Sequence, residues 1–231
     1  MVGLWYDTGR QCFIVNLAST QVRMAMMNPQ QQKWTNLLRA WSVPASLADL
    51  AFEEISRHYA SPGRFYHTLD HIRDVVDRVE THAAHTRNLN AVKLAAWLHD
   101  VIYDSRASDN EELSAAYAQE LCKKLSIPDG PLVASLILKT KTHDAGNDPD
   151  AQVLTDADLA ILGTSDWAYR DYADKIRQEY AWVPENDYRL GRTRALQRFL
   201  ARPKIFHLLE DLEEPARRNT MAEITRLTPS K

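Results

Sequence analysis

The sequence is poor in glycine, with seven in 231 residues, and it has only two cysteines, no strong excess of either charge and no long apolar run. So few glycines, together with few alternating β-branched runs, leave little material for hairpins and sheets, and no convincing strand is found. Cys12 and Cys122 lie far apart without a CxxC spacing. That argues against a disulfide framework or a thiolate metal site and points to a reducing, cytoplasmic compartment. With 28 Lys and Arg against 31 Asp and Glu, a formal net charge of -3 and a pI near 6.2, there is no basic footprint for nucleic acid, and a small-molecule ligand fits better. No apolar run approaches the roughly 18 to 20 residues of a membrane span. The run from Cys12 to Ala18 is short and follows no basic cluster, so neither a membrane partner nor a secretory signal is expected.

What the sequence has in quantity is helix punctuation, and an all-α fold is expected. Asn28-Pro29 reads as an N-cap with Pro in the first turn. Ordered structure is therefore expected from Met27, with residues 1–26 a flexible extension and 27–231 a single helical domain. Start and stop signals place helices near 29–42, 47–60, 68–86, 90–104, 109–125 and 131–141. A short one capped by Thr155 and ending at Gly163 follows, then helices near 165–181, 186–201 and 213–227. The polar stretch 143–151, with Gly146 and Pro149, reads as a loop.

The chemistry-bearing residues gather in the middle of the chain. His99-Asp100 stands in the apolar run Leu94-Ala95-Ala96-Trp97-Leu98-His99-Asp100-Val101-Ile102, where an unpaired imidazole and carboxylate would be costly to bury. A metal ion would satisfy both. Upstream, His67 and His71 are four apart and share a helix face if the helix begins by His67. Downstream, Asp156 and Asp158 offer further carboxylates. Taken singly, each has an ordinary alternative: either upstream histidine as a surface or core-edge residue, and either acid as a helix cap.

The order of these pieces, a His, a His-Asp doublet and a closing Asp over roughly Arg64 to Gly163, resembles the HD-domain metal-dependent phosphohydrolases. The runs Arg64-Phe65-Tyr66-His67-Thr68-Leu69-Asp70-His71 and Asp158-Leu159-Ala160-Ile161-Leu162-Gly163 are similar to an uncharacterised bacterial subgroup of predicted HD phosphohydrolases. The resemblance implies a single HD-type domain with additional C-terminal helices. It further implies a ligand set of His71, His99, Asp100 and Asp158, with His67 and Asp156 as alternatives. Two imidazoles and two carboxylates suit Mn²⁺, Fe²⁺, Co²⁺, Ni²⁺ or Zn²⁺, with Mg²⁺ less natural beside nitrogen ligands. The implied reaction is hydrolysis of a phosphate ester or phosphoanhydride, of a nucleotide or related small metabolite, by a metal-activated water.

Asp104, placed one helical turn beyond Asp100, is the expected general base, with His143 as a second candidate for acid–base work. Its alternative is a surface acid at a helix end. Arg64 and Lys141 are expected to grip phosphate, although solvation at the surface is the common fate of such residues. Tyr103-Asp104 keeps only the second acid of the Glu-Asp pair that marks the stringent-nucleotide hydrolases of the family, which argues against that substrate. Two other readings stay open: a non-catalytic metal-stabilised helical protein that binds a nucleotide or partner, and an HD-type di-iron oxygenase. His143 is the only additional histidine between doublet and closing Asp, which favours one ion over two. In the C-terminal third, Trp167, Tyr169, Tyr172, Ile176 and Tyr180 recur at near-helical spacing and read as core or interface. Arg192 and Arg194, beside Gly191, are weaker anion-pocket candidates. A homo-oligomer is compatible with the sequence.

Overall fold

The computed structural model describes residues 28–228, and among them it holds ten α-helices, three short 3-10 turns and no strand. In chain order the helices are α1 Pro29–Leu38, α2 Ala45–Tyr59, α3 Leu69–Thr81, α4 Leu89–Leu98, α5 Asn110–Lys124, α6 Gly130–Thr140, α7 Pro149–Leu159, α8 Asp166–Glu179, α9 Glu185–Leu200 and α10 Glu210–Leu227. The all-α expectation is met. The expected extension 1–26 lies outside the described residues. Contacts divide the chain into two units, the first ending at Phe52 and the second beginning at Glu53.

In the first unit the Asn28 side chain accepts the Gln31 N–H with Pro29 in the first turn, so the start of α1 is the one its sequence specifies. Trp34 is buried, and its indole N–H donates to the Ala48 carbonyl at 2.9 Å.

The second unit is organised about α4, which is apolar nearly all round: seven of its ten residues are buried, and α3, α6 and α7 pack on it. α3 is amphipathic instead. Ile72, Val75, Val76 and Val79 fall on one face at helical spacing, His71 joins that buried face, and Asp70, Arg73, Asp74 and Asp77 stay exposed. After α7, the 3-10 turn Ala160–Gly163 packs against α10 and α8 in a core that includes Leu162, Tyr169, Phe206, Leu209 and Ala216. Gly163 permits that approach, since a Cβ there would stand 2.6 Å from the Leu212 Cβ and 2.8 Å from its carbonyl oxygen. Of the aromatic repeat in α8, Tyr169 and Ile176 are buried as expected, whereas Trp167 is 77% exposed.

Three helix boundaries differ from expectation by five residues or more, the first being the helix expected over 68–86, which ends at Thr81 before the 3-10 turn Ala83–His85. The helix expected over 90–104 ends at Leu98, because later acceptors and donors are taken from outside it: Arg64 binds the Asp100 and Val101 carbonyls, and Ser114 Oγ accepts the Ile102 N–H. α7 begins at Pro149, capped by Asp148, rather than at Thr155. The Thr155 hydroxyl donates back to the Ala151 carbonyl within a helix already formed.

Candidate metal centre

Three elements deliver the central cluster. His71 comes from the buried face of α3, His99 and Asp100 from the turn that ends α4, and Asp158 from the last turn of α7. His71 Nε2 lies 3.3 Å from His99 Nε2, 3.2 Å from Asp158 Oδ1 and 3.5 Å from Asp100 Oδ2. His99 Nε2 lies 3.1 Å from Asp100 Oδ2 and 3.5 Å from Asp158 Oδ1. Ligands about 2.0–2.1 Å from one ion, at angles of about 90–110°, stand about 2.9–3.4 Å apart, so these separations match a single shared centre. His71, His99 and Asp158 form a group that could hold a metal ion; the Asp100 carboxylate stands against both histidines but outside that group.

The surroundings prepare the donors. His99 Nδ1 lies 3.0 Å from the Ala96 carbonyl, a partner that accepts only, so the ring proton sits on Nδ1 and Nε2 keeps its lone pair for the cluster. Burial alone would lower the pKa of both histidines, but Asp100 and Asp158 outweigh it, holding His71 above and His99 well above the ordinary value. For the two carboxylates burial pushes up and the histidines pull down, His99 foremost, leaving both well below the ordinary range. A divalent ion beside two neutral imidazoles would balance the two carboxylates, so the donor set fits an ion that takes the place of the histidine protons.

A cavity of about 430 Å³ opens onto the Asp100 and Asp158 side of the cluster, and a smaller one of about 280 Å³ reaches His71 and Asp158 past Asp74 and Asp77. The larger is in the range of small-ligand pockets. His67, His143, Lys141 and Arg192 are on its wall, with Tyr66, Tyr172, Tyr180 and Phe199. His143 Nε2 is 2.9 Å from Asp158 Oδ2, and the residue is held in the left-handed region at φ 50° while Arg202 donates to its carbonyl.

Several expected roles are redistributed. His67, the alternative ligand, has Nδ1 2.6 Å from Glu179 Oε2 and is not in the cluster. Asp156, the alternative acid, is turned to the other side of α7, where its carboxylate accepts the backbone N–H groups of His207, Leu208 and Leu209. Asp104 is exposed beyond the end of α4 and accepts the Arg106 N–H; the helical turn that was to carry it to the site does not exist. Arg64, expected to grip phosphate, has both terminal nitrogens donating to the carbonyls of His67, Asp100 and Val101, between the rings of Tyr59 and Tyr103, which fixes the doublet's backbone. Lys141 does reach the cavity wall, exposed and bound to Glu112 and the Ser108 carbonyl.

Sequence reasoning missed Glu179. This buried acid at the end of α8 accepts the N–H groups of Phe65, Tyr66 and His67 on one oxygen, and the Tyr103 hydroxyl and His67 on the other. Burial would raise its pKa, but the His67 contact and the backbone donors hold it at about 2. Nothing local marks it, since its partners lie more than a hundred residues upstream, Tyr103 excepted. No family model, curated protein or solved structure matches the chain.

Proposed function

We propose that the protein is an HD-type metal-dependent phosphohydrolase acting on a phosphate ester or phosphoanhydride, of a nucleotide or related small metabolite. The observation that carries this reading is the convergence of His71, His99 and Asp158, with Asp100 against both histidines, beside a cavity of small-ligand size. Mn²⁺, Fe²⁺, Co²⁺, Ni²⁺ and Zn²⁺ suit that donor set. Such an ion supplies a Lewis acid that polarises a phosphoryl oxygen and acidifies water.

The chain's own residues supply the rest. Ala96 fixes the His99 tautomer, and Arg64 holds the backbone of the doublet in place. His143, with Nε2 2.9 Å from Asp158 Oδ2, stands at the cavity edge, where it would hold or move a proton. His67, with Nδ1 committed to Glu179, is left with Nε2 for the cavity it lines.

The test is to load the full chain with each candidate ion, measure metal per chain, and assay phosphate release across a panel of nucleotides and small phosphate esters. About one ion per chain with release from at least one member is the expected result. Retained metal with no release from any member would replace hydrolysis with a structural ion in a binding protein. Two redox-active irons per chain would favour the oxygenase reading.

A further inference from the structure

Arg192 is the one arginine on the wall of the 430 Å³ cavity, and the mechanism above does not use it. It is carried on α9 with its side chain 12% exposed, beside the nearly buried Glu223 of α10. Glu223 Oε1 takes Nε at 2.8 Å and Oε2 takes Nη2 at 3.2 Å, a side-on pairing that occupies one edge of the guanidinium. Glu223 is itself held by the Tyr169 hydroxyl, and the guanidinium carbon stands 5.2 Å from the centre of the Tyr172 ring. The opposite edge, with Nη1, makes no hydrogen bond to the described residues.

A buried ion pair recovers little more than its desolvation cost, so stability alone does not call for a charged pair in a cavity wall lined by tyrosines. What the pairing does achieve is a guanidinium with a fixed plane and a free edge, the arrangement suited to an oxyanion. We propose that Arg192 is a specificity-determining residue that binds a second oxyanion of the substrate, a phosphate or a carboxylate, while the reacting phosphate lies at the cluster of His71, His99, Asp100 and Asp158. The substrate is then a small phosphorylated compound with two anionic groups. This rests on the phosphohydrolase reading for the identity of the first group.

Non-hydrolysable probes test it without turnover. The metal-loaded full chain is titrated calorimetrically with alkylphosphonates, with α,ω-alkylene bisphosphonates of one to four carbons, and with the matching ω-carboxyalkylphosphonates. At one chain length, a doubly anionic probe is expected to bind about ten- to a hundredfold more tightly than the matched monophosphonate, as a charged hydrogen bond allows. The better of the two series identifies the second group as phosphate or carboxylate. Arg192→Gln should abolish that advantage while leaving monophosphonate affinity and metal content unchanged. Because that change strands Glu223, the double variant Arg192→Met with Glu223→Gln, which removes both charges, is measured beside it together with the melting temperature. No preference at any length, or a preference that survives in the folded double variant, overturns the proposal. Failure of the phosphohydrolase reading shows separately, as absence of phosphate release while the probe preference persists.

Discussion

Asp156 and Asp158 stand two residues apart on α7 and do opposite things. Asp156 is buried against the chain and is satisfied by three backbone N–H groups at His207, Leu208 and Leu209. Asp158 faces only imidazoles: His71, His99 and His143. Backbone amides cannot titrate or be displaced, so the first carboxylate is locked into the fold. Imidazoles can exchange their protons for an ion, so the second stands among partners that could share one with it. Glu179 and Asp150 belong with Asp156 in this respect, since each takes at least two backbone N–H groups. Asp156, Glu179 and Asp150 are buried and meet backbone donors, whereas Asp158 is half-buried and meets imidazoles, so both exposure and the kind of donor set it apart.

The sharpest break of this comparison is at its reactive side. Asp158→Ala and His99→Ala should each lower metal affinity by more than about a hundredfold, beyond what loss of a supporting contact produces, and leave little metal in the purified protein. Elemental analysis checks this, and full occupancy in either variant would remove that residue from the ligand set. His71→Ala should lose metal likewise while His67→Ala retains it.

At the other side, Asp156→Ala should keep the metal and lose stability. Three buried N–H groups stranded at about 1 kcal/mol or more each amount to about 3 kcal/mol, read as a drop in chemical-denaturation midpoint. Metal loss as large as that of Asp158→Ala, at unchanged stability, would erase the distinction.

Proton titration sharpens it further. In the ion-free protein the raised His71 and His99 contribute stability that is fully present below their ordinary value of about 6.5 and lost as pH rises through their folded values. The depressed Asp100 and Asp158 contribute above about pH 4 and lose it as pH falls through theirs. The ion-free cluster should thus stabilise most between about pH 4 and 6.5. Metal must displace the histidine protons, so its affinity should climb with pH over that range and beyond, by up to about tenfold per proton per unit. Titrations at several pH values measure the slope, and a flat one would mean the ion does not compete for those protons.

The smallest effect is expected at Asp104. As an exposed acid whose side chain accepts the Arg106 N–H, it should tolerate Asp104→Asn with metal content unchanged, turnover within about twofold and stability within about 0.5 kcal/mol. A hundredfold loss of turnover would return it to the mechanism.

Helix punctuation was largely legible in the sequence because its determinants are local. Asn28-Pro29 starts α1, and Pro128-Asp129-Gly130 separates α5 from α6 as read. Two of the boundaries that moved have different causes. Asp148-Pro149 is a local start signal of the same kind as Asn28-Pro29, overlooked inside a stretch read as loop. The end of α4 depends on Arg64, 36 residues from Asp100, and no local pattern reports that contact. The site follows the same division. The set His71, His99, Asp100 and Asp158 was implied by the family resemblance that their order carries, the residues alone leaving His67 and Asp156 open, whereas Glu179 and the pairing of Arg192 with Glu223 exist only once α8, α9 and α10 have packed.

An exchange of protons for an ion at the cluster would have an electrical consequence. Were an ion to displace two protons there, the charge of the cluster would be the same before and after, and loading would leave the far field of the cavity nearly unchanged. An approaching anion would not be drawn in by the ion from a distance; it would feel the fixed cations of the wall, Arg192 and the exposed Lys141, each partly offset by its own glutamate. Encounter should therefore depend only weakly on ionic strength, with salt acting mainly on Lys141 at the rim, while the ion's influence is confined to the last few ångströms of approach.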